Sequence, residues 1–150
     1  MEHDTLIDCL NRLIAVCKAG EENFRSCTED TSNTQLKSLF SDRAQSCATS
    51  SRELQDVVRN LGGKAETRSS MSSALQKQWR KFKGLIFGKD DAVVLDECER
   101  SEEVALRSYR EALALNLPRV VRLVLERHYH GIQQDHEQIR RLHAQVLAAE

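Results

Sequence analysis

Pro118 is the only proline in this chain of 150 residues, and there are only six glycines. Proline and glycine are the residues that stop a helix, so a chain this poor in them can be helical almost throughout. Where they occur, they fall at boundaries. Gly62-Gly63 closes one apolar-periodic segment, and Asn116 with Pro118 closes another. The stretch TEDTSNTQ breaks a third. The pattern predicts four long helices, over about residues 4–29, 34–61, 90–115 and 119–148.

Within each segment the apolar positions step alternately by three and four. Leu6, Leu10, Leu13, Cys17, Gly20, Phe24 and Cys27 mark the first stripe. Leu36, Leu39, Phe40, Cys47, Leu54, Val57 and Leu61 mark the second. The third carries Leu95, Cys98, Ala105, Leu106, Tyr109 and Leu113. The fourth carries Val121, Leu125, Ile132, Ile139, Leu142 and Val146. This is the seam of an all-α four-helix bundle, and the length predicts one domain over residues 1–150.

The connections are unequal. Short turns near residues 31 and 117 make two antiparallel hairpins. Residues 62–90 are too many for a structureless loop, and MSSALQKQWRKFKGLIF places Met71, Leu75, Trp79, Phe82 and Ile86 on one face. A bridging helix over about residues 71–87 would cover roughly 24 Å. That length predicts a ferritin-like arrangement, two hairpins joined by a long crossover, rather than tight loops throughout.

Composition narrows the function classes. A net charge of −1 offers no basic field for nucleic acid. No apolar run approaches the ~18–20 residues of a membrane span. MEHDTLIDCLNRL lacks the basic and apolar regions of a signal peptide, so a cytoplasmic location is expected. The five cysteines include no CxxC pair and lie on the apolar stripes, as small core residues do. The bridging helix carries Trp79 and Phe82 beside Arg80 and Lys81. Packing on the bundle is its plainest use, but Trp79, Arg80 and Phe82 are the candidate face for a protein partner or a membrane surface. No P-loop, nucleophile elbow or dinucleotide motif is present.

The functional candidates are polar residues on apolar stripes. Glu102 lies seven residues after Leu95 and four before Leu106. Arg43 lies among Leu36, Leu39 and Cys47. His128 and Asp135 each follow a seam residue by three, and His136 lies at the edge of the same stripe. Glu21 follows Gly20 at the edge of the first. Counted from the end where both hairpin turns lie, Glu21 and Arg43 are about 9 residues deep and Glu102 and His136 about 12, so they fall within roughly a turn of one layer. Buried charges must be paired or bind metal.

Ferritin-like bundles build di-metal sites in such a layer, from one Glu on each of two helices and a Glu-x-x-His pair on each of the others. Here the second helix offers Ser46-Cys47-Ala48-Thr49, and the i, i+3 pair ending at His136 begins with Gln133. Glu21, Glu102, Asp135 and His136 are the ligands that remain. Arg43 could instead neutralise Glu102 in the place of a metal, by a bidentate pair.

The segments LNRLIAVCKAGEENFR, LKSLF, SRELQDVVRNLGG, LDECERSEEVALRSYREAL and HGIQQDHEQIRRL resemble an uncharacterised ferritin-like four-helix-bundle family found mostly in proteobacteria. The resemblance covers nearly the whole chain and implies a bundle of this size with no established activity and no catalytic residues to carry over. The sequence therefore leads to a non-enzymatic helical-bundle protein, structural or stress-related, with a degenerate metal site and no cofactor; a homodimer is compatible with it. A bundle binding iron, manganese or zinc through the four ligands is the first alternative. A module binding a partner or membrane through the bridging helix is the second.

Overall fold

The computed structural model describes residues 2–69 and 90–149. These form four helices and no strand: α1 (His3–Asp30), α2 (Thr34–Asn60), α3 (Asp91–Leu113) and α4 (Arg119–Ala149). The expected bridging helix at about 71–87, with Trp79, Arg80 and Phe82, lies outside the described residues.

Local chemistry sets each boundary. Asn33 caps α2, its side-chain oxygen accepting from the backbone N–H of Gln35 (2.9 Å) and Leu36 (3.2 Å). Asp90 caps α3 in the same way through Ala92 N–H. The end of α2 is a Schellman turn, with Gly63 N–H donating to Val58 C=O and Gly62 N–H to Arg59 C=O. Gly62 has φ +82°, a conformation that costs an L side chain but not glycine. At the last helix junction, Arg122 donates to the carbonyls of Leu113 and Leu115, which closes α3 from the start of α4.

The order of ends is fixed by contacts far apart in sequence. His3 at the start of α1 bonds the Leu61 carbonyl at the end of α2. Thr31 at the end of α1 donates to Asp91 at the start of α3 (2.7 Å). After the Schellman turn the chain doubles back along α1 and α2. Asn11 donates to Lys64 C=O and accepts from Glu66 N–H, and Gln55 donates to Glu66 C=O.

The core is in two parts. One gathers Leu6, Leu10, Leu13, Leu54, Val58, Tyr109, Val121 and Leu125 near the start of α1. The other gathers Phe24, Leu36, Phe40, Leu95, Cys98 and Ile139 near its end. Of the expected inward positions, Leu39, Cys47, Val57, Leu61, Ala105, Leu113, Ile132, Leu142 and Val146 are half-buried rather than fully buried. Beyond His128 only Ile139 of α4 is fully covered, while Ile132, Leu142 and Val146 are not, so that helix outruns its cover. Between the two apolar clusters lies a polar layer. There α1 and α2 approach so closely that a Cβ on Gly20 would sit 3.1 Å from Cys47 Sγ. Across the layer the backbones of α2 and α4 stay apart, and the gap between them is a cleft crossed by side chains.

Candidate functional site

The cleft is a cavity of about 410 Å³, and its lining includes Cys17, Arg43, Cys47, Glu102, His128 and Asp135. Each helix contributes from the level at which its apolar stripe is interrupted by a small or polar residue: Gly20 on α1, Ser46 to Ser50 on α2, Glu102 on α3 and Gly131 to Asp135 on α4.

Arg43 forms an ion pair with Asp135, bridging α2 and α4. Their side chains are 15% and 21% exposed, so the pair is screened by little water. Glu102 is 4% exposed. Its Oε1 has no hydrogen-bond partner, nor has His136 Nδ1, which lies 3.6 Å away. Burial raises the Glu102 carboxyl to about 8, against the opposing field of Arg43 and with help from Glu99. At neutral pH the side chain is therefore mostly a carboxylic acid, able to donate as well as accept.

A second polar group crosses the layer. Tyr109 Oη lies 2.8 Å from His128 Nδ1 and 3.4 Å from Cys17 Sγ, and His128 Nε2 reaches Glu53 Oε1. Arg127 donates to the other Glu53 oxygen at 2.8 Å. Burial opposes ionisation of Glu53, but the hydrogen bonds from Arg127 and His128 outweigh it and hold the carboxyl low. Burial also pushes His128 down, more than Glu53 pushes it up, so the ring is neutral. One assignment then satisfies every group: His128 Nε2–H donates to the Glu53 carboxylate, Tyr109 O–H donates to His128 Nδ1, and Cys17 S–H donates to Tyr109. Burial lifts Cys17 to about 11 and raises Cys47 and Cys98 as well, so these thiols stay protonated and unreactive.

Of the six polar residues expected in the layer, Arg43, Glu102, Asp135 and His136 come together, and His128 stands beside them in the cleft wall. The partner of Arg43 is Asp135 and not Glu102, so the expected bidentate Arg43–Glu102 pair does not form. Glu21 turns to Arg25 on its own helix, with contacts of 2.7 and 2.9 Å. Among the described residues, three potential metal-ligand atoms gather within 4.8 Å only at Asp96, Glu99 and His143, outside the layer. His143 meets Glu99 at 3.1 Å and Asp96 pairs with Arg100.

Glu53 is the member that sequence reasoning missed. It stands between Arg52 and the fully buried Leu54, on the flank of its helix. Its long side chain reaches a histidine 75 residues away. The available signal was an inward histidine with two ring nitrogens to satisfy, of which Tyr109 on the facing seam meets only one.

Residues 5–115 match the model of a family described as a domain of unknown function, DUF2383. The chain belongs to that family. The match takes in α1, α2 and α3, and with them Arg43, Glu53, Glu102 and Tyr109; it ends before α4. No curated protein matches this DUF2383 chain. No helix among its described residues is long and apolar enough to cross a membrane.

Proposed function

We propose that this DUF2383 protein is a non-enzymatic, ferritin-like helical bundle in which an internal cation stands where a metal site would be built. The fold part of this reading is supported by the order of ends. Leu61 lies beside the start of α1 and Asp91 beside its end, so α2 ends and α3 begins at opposite ends of α1, an order of ends that a long crossover requires. The doubling back of residues 64–66 along α1 and α2 agrees with it.

The observation that carries the functional part is the Arg43–Asp135 pair in the central layer. A guanidinium at this level supplies positive charge between α2 and α4, consumes one of the four candidate ligands and repels a divalent ion. Glu21 is held by Arg25. Glu102 and His136 are left, two ligands where a ferritin-like site uses six residues. The donor set does not fit a di-metal centre. The protein then serves as a structural or interaction module through its surface.

One observation favours a second reading. Glu102 Oε1 and His136 Nδ1 face each other unbonded at 3.6 Å, as two ligands of a single iron, manganese or zinc ion would. Elemental analysis separates the two. Protein purified without a chelating tag, from cells supplemented with iron, manganese or zinc, is expected to carry well under one metal per chain. Stoichiometric metal that disappears in Glu102→Ala would overturn the metal-free reading.

A further inference from the structure

A second groove runs along the bundle between α1 and α3. It has a volume of about 420 Å³, with Arg12, Ala15 and Val16 on one wall and Ser108, Glu111 and Leu115 on the other. On α3, Val104, Ser108, Glu111 and Leu115 follow one another by four, three and four residues. That is the step of a helical seam, but it lies on a side of α3 turned away from the core, where Val104 and Leu115 are exposed. The Ser108 hydroxyl donates to Val104 C=O within its own helix (2.9 Å), so it brings no unmet polar group to this side. On α1, Arg12, Val16 and Ala19 repeat the step, and none of them is fully buried. A surface helix needs one apolar stripe for its core. α3 has a second, and within the chain nothing described is packed on it.

The charges of the groove say what fits there. Arg12 stands on one wall and Glu111 on the other. Neither forms an ion pair with a described residue, and Arg12 lies against the Cys9 thiol with its charge unmatched. A partner carrying one sign of charge would satisfy one wall and be repelled by the other. A second copy of the chain brings both signs. The end of α1 meets the start of α3, so the two helices are antiparallel. A copy turned about a two-fold axis along the groove therefore lays its α3 on this α1 and its α1 on this α3. Arg12 of each copy then faces Glu111 of the other, and the same register sets Ala19 against Val104 and Ala15 against Ser108. The 23 residues of α3 span about 35 Å, and two helices side by side are about 20 Å across. Such a face offers about 700 Å² per copy, which is within the range of a standard stable interface. We propose that the α1–α3 face is the interface of a homodimer closed by reciprocal Arg12–Glu111 pairs. This rests on the reading of the protein as an interaction module and names its partner.

The test is sedimentation velocity of the full chain from about 1 to about 200 μM, a range in which an interface of this size associates. The wild type is expected to pass from the mass of one chain to that of two. Arg12→Glu and Glu111→Arg each set like charges at both contacts, and each should weaken self-association at least about tenfold. An equimolar mixture of the two variants restores opposite charges at both contacts. It should dimerise within about threefold of the wild type, a recovery that misfolded variants could not give. Leu123→Asp, at an exposed position of α4 outside the groove, should leave the dimer unchanged. A wild type of single-chain mass throughout, a dimer that survives both reversals, a mixture without recovery, or loss of the dimer in Leu123→Asp would each overturn the proposal. Stoichiometric metal in the same samples would instead overturn the metal-free reading of the central layer, with the dimer intact.

Discussion

Replacing Glu102 by Gln should make the protein's stability respond differently to pH, and the size of the change follows from one buried proton. In the unfolded chain the carboxyl ionises near its ordinary 4.5, whereas in the folded chain burial holds the proton to about 8. Between those limits the folded state binds more protons than the unfolded one, so stability falls as pH rises. The contribution is intact below the unfolded value and is lost by the time pH passes the folded one. A gap of this width amounts to roughly 4–5 kcal/mol at full effect, and to about 3 kcal/mol between pH 5 and pH 8. The substituted amide cannot titrate but keeps the shape of the protonated acid. Arg43, His136 and Glu99 lie near the position in both proteins. Urea unfolding followed by far-UV circular dichroism should therefore show the variant gaining about 3 kcal/mol on the wild type from pH 5 to pH 8. A relative gain below about 0.5 kcal/mol would mean that water or an unrecognised partner reaches Glu102 and that its burial costs little.

Three further outcomes follow from single contacts. Tyr109→Phe removes the hydroxyl shared by His128 and Cys17 and should cost about 1–3 kcal/mol by chemical denaturation, because His128 Nδ1 is left buried without a partner; a neutral result would show that the ring finds another donor. Gly63→Ala puts a Cβ 2.7 Å from Ile7 Cδ1 and should destabilise by about 1–2 kcal/mol, visible as a lower thermal midpoint. Gly131→Ala should stabilise by about 0.5–1 kcal/mol, since the added methyl meets open space within a helix; a loss would show that α4 needs the glycine for close approach.

The bounds of the four described helices were legible to within two residues, because periodicity and caps are local signals. Asn33, Gly62 and Pro118 act on the residues next to them, and the expected breaks fall there. Glu102 and His128 were legible as buried because their seam phase is set by Leu95, Leu106 and Leu125 on the same helix. The pairing inside the layer was not legible. Counting along helices places a residue to about one turn, or 5.4 Å. A count with that error cannot choose between Asp135 and Glu102 as the partner of Arg43, since both lie near it. Glu21 and Glu53 show the other limit. Helical phase gives the direction of Cβ, but a long carboxylate side chain can end elsewhere. Glu21 ends on Arg25 of its own helix, and Glu53 reaches inward from a flank to His128.

The claim that an internal cation ties the central layer together is tested most directly by a double-mutant cycle on Arg43→Met and Asp135→Asn, measured by urea unfolding at pH 7. The two side chains are mostly but not wholly buried, so a coupling energy of about 1–2 kcal/mol is expected, with the double variant less damaged than the sum of the single ones. A coupling below about 0.3 kcal/mol would mean that Arg43 spends its charge on solvent, and the layer would then hold no cation in the place of a metal.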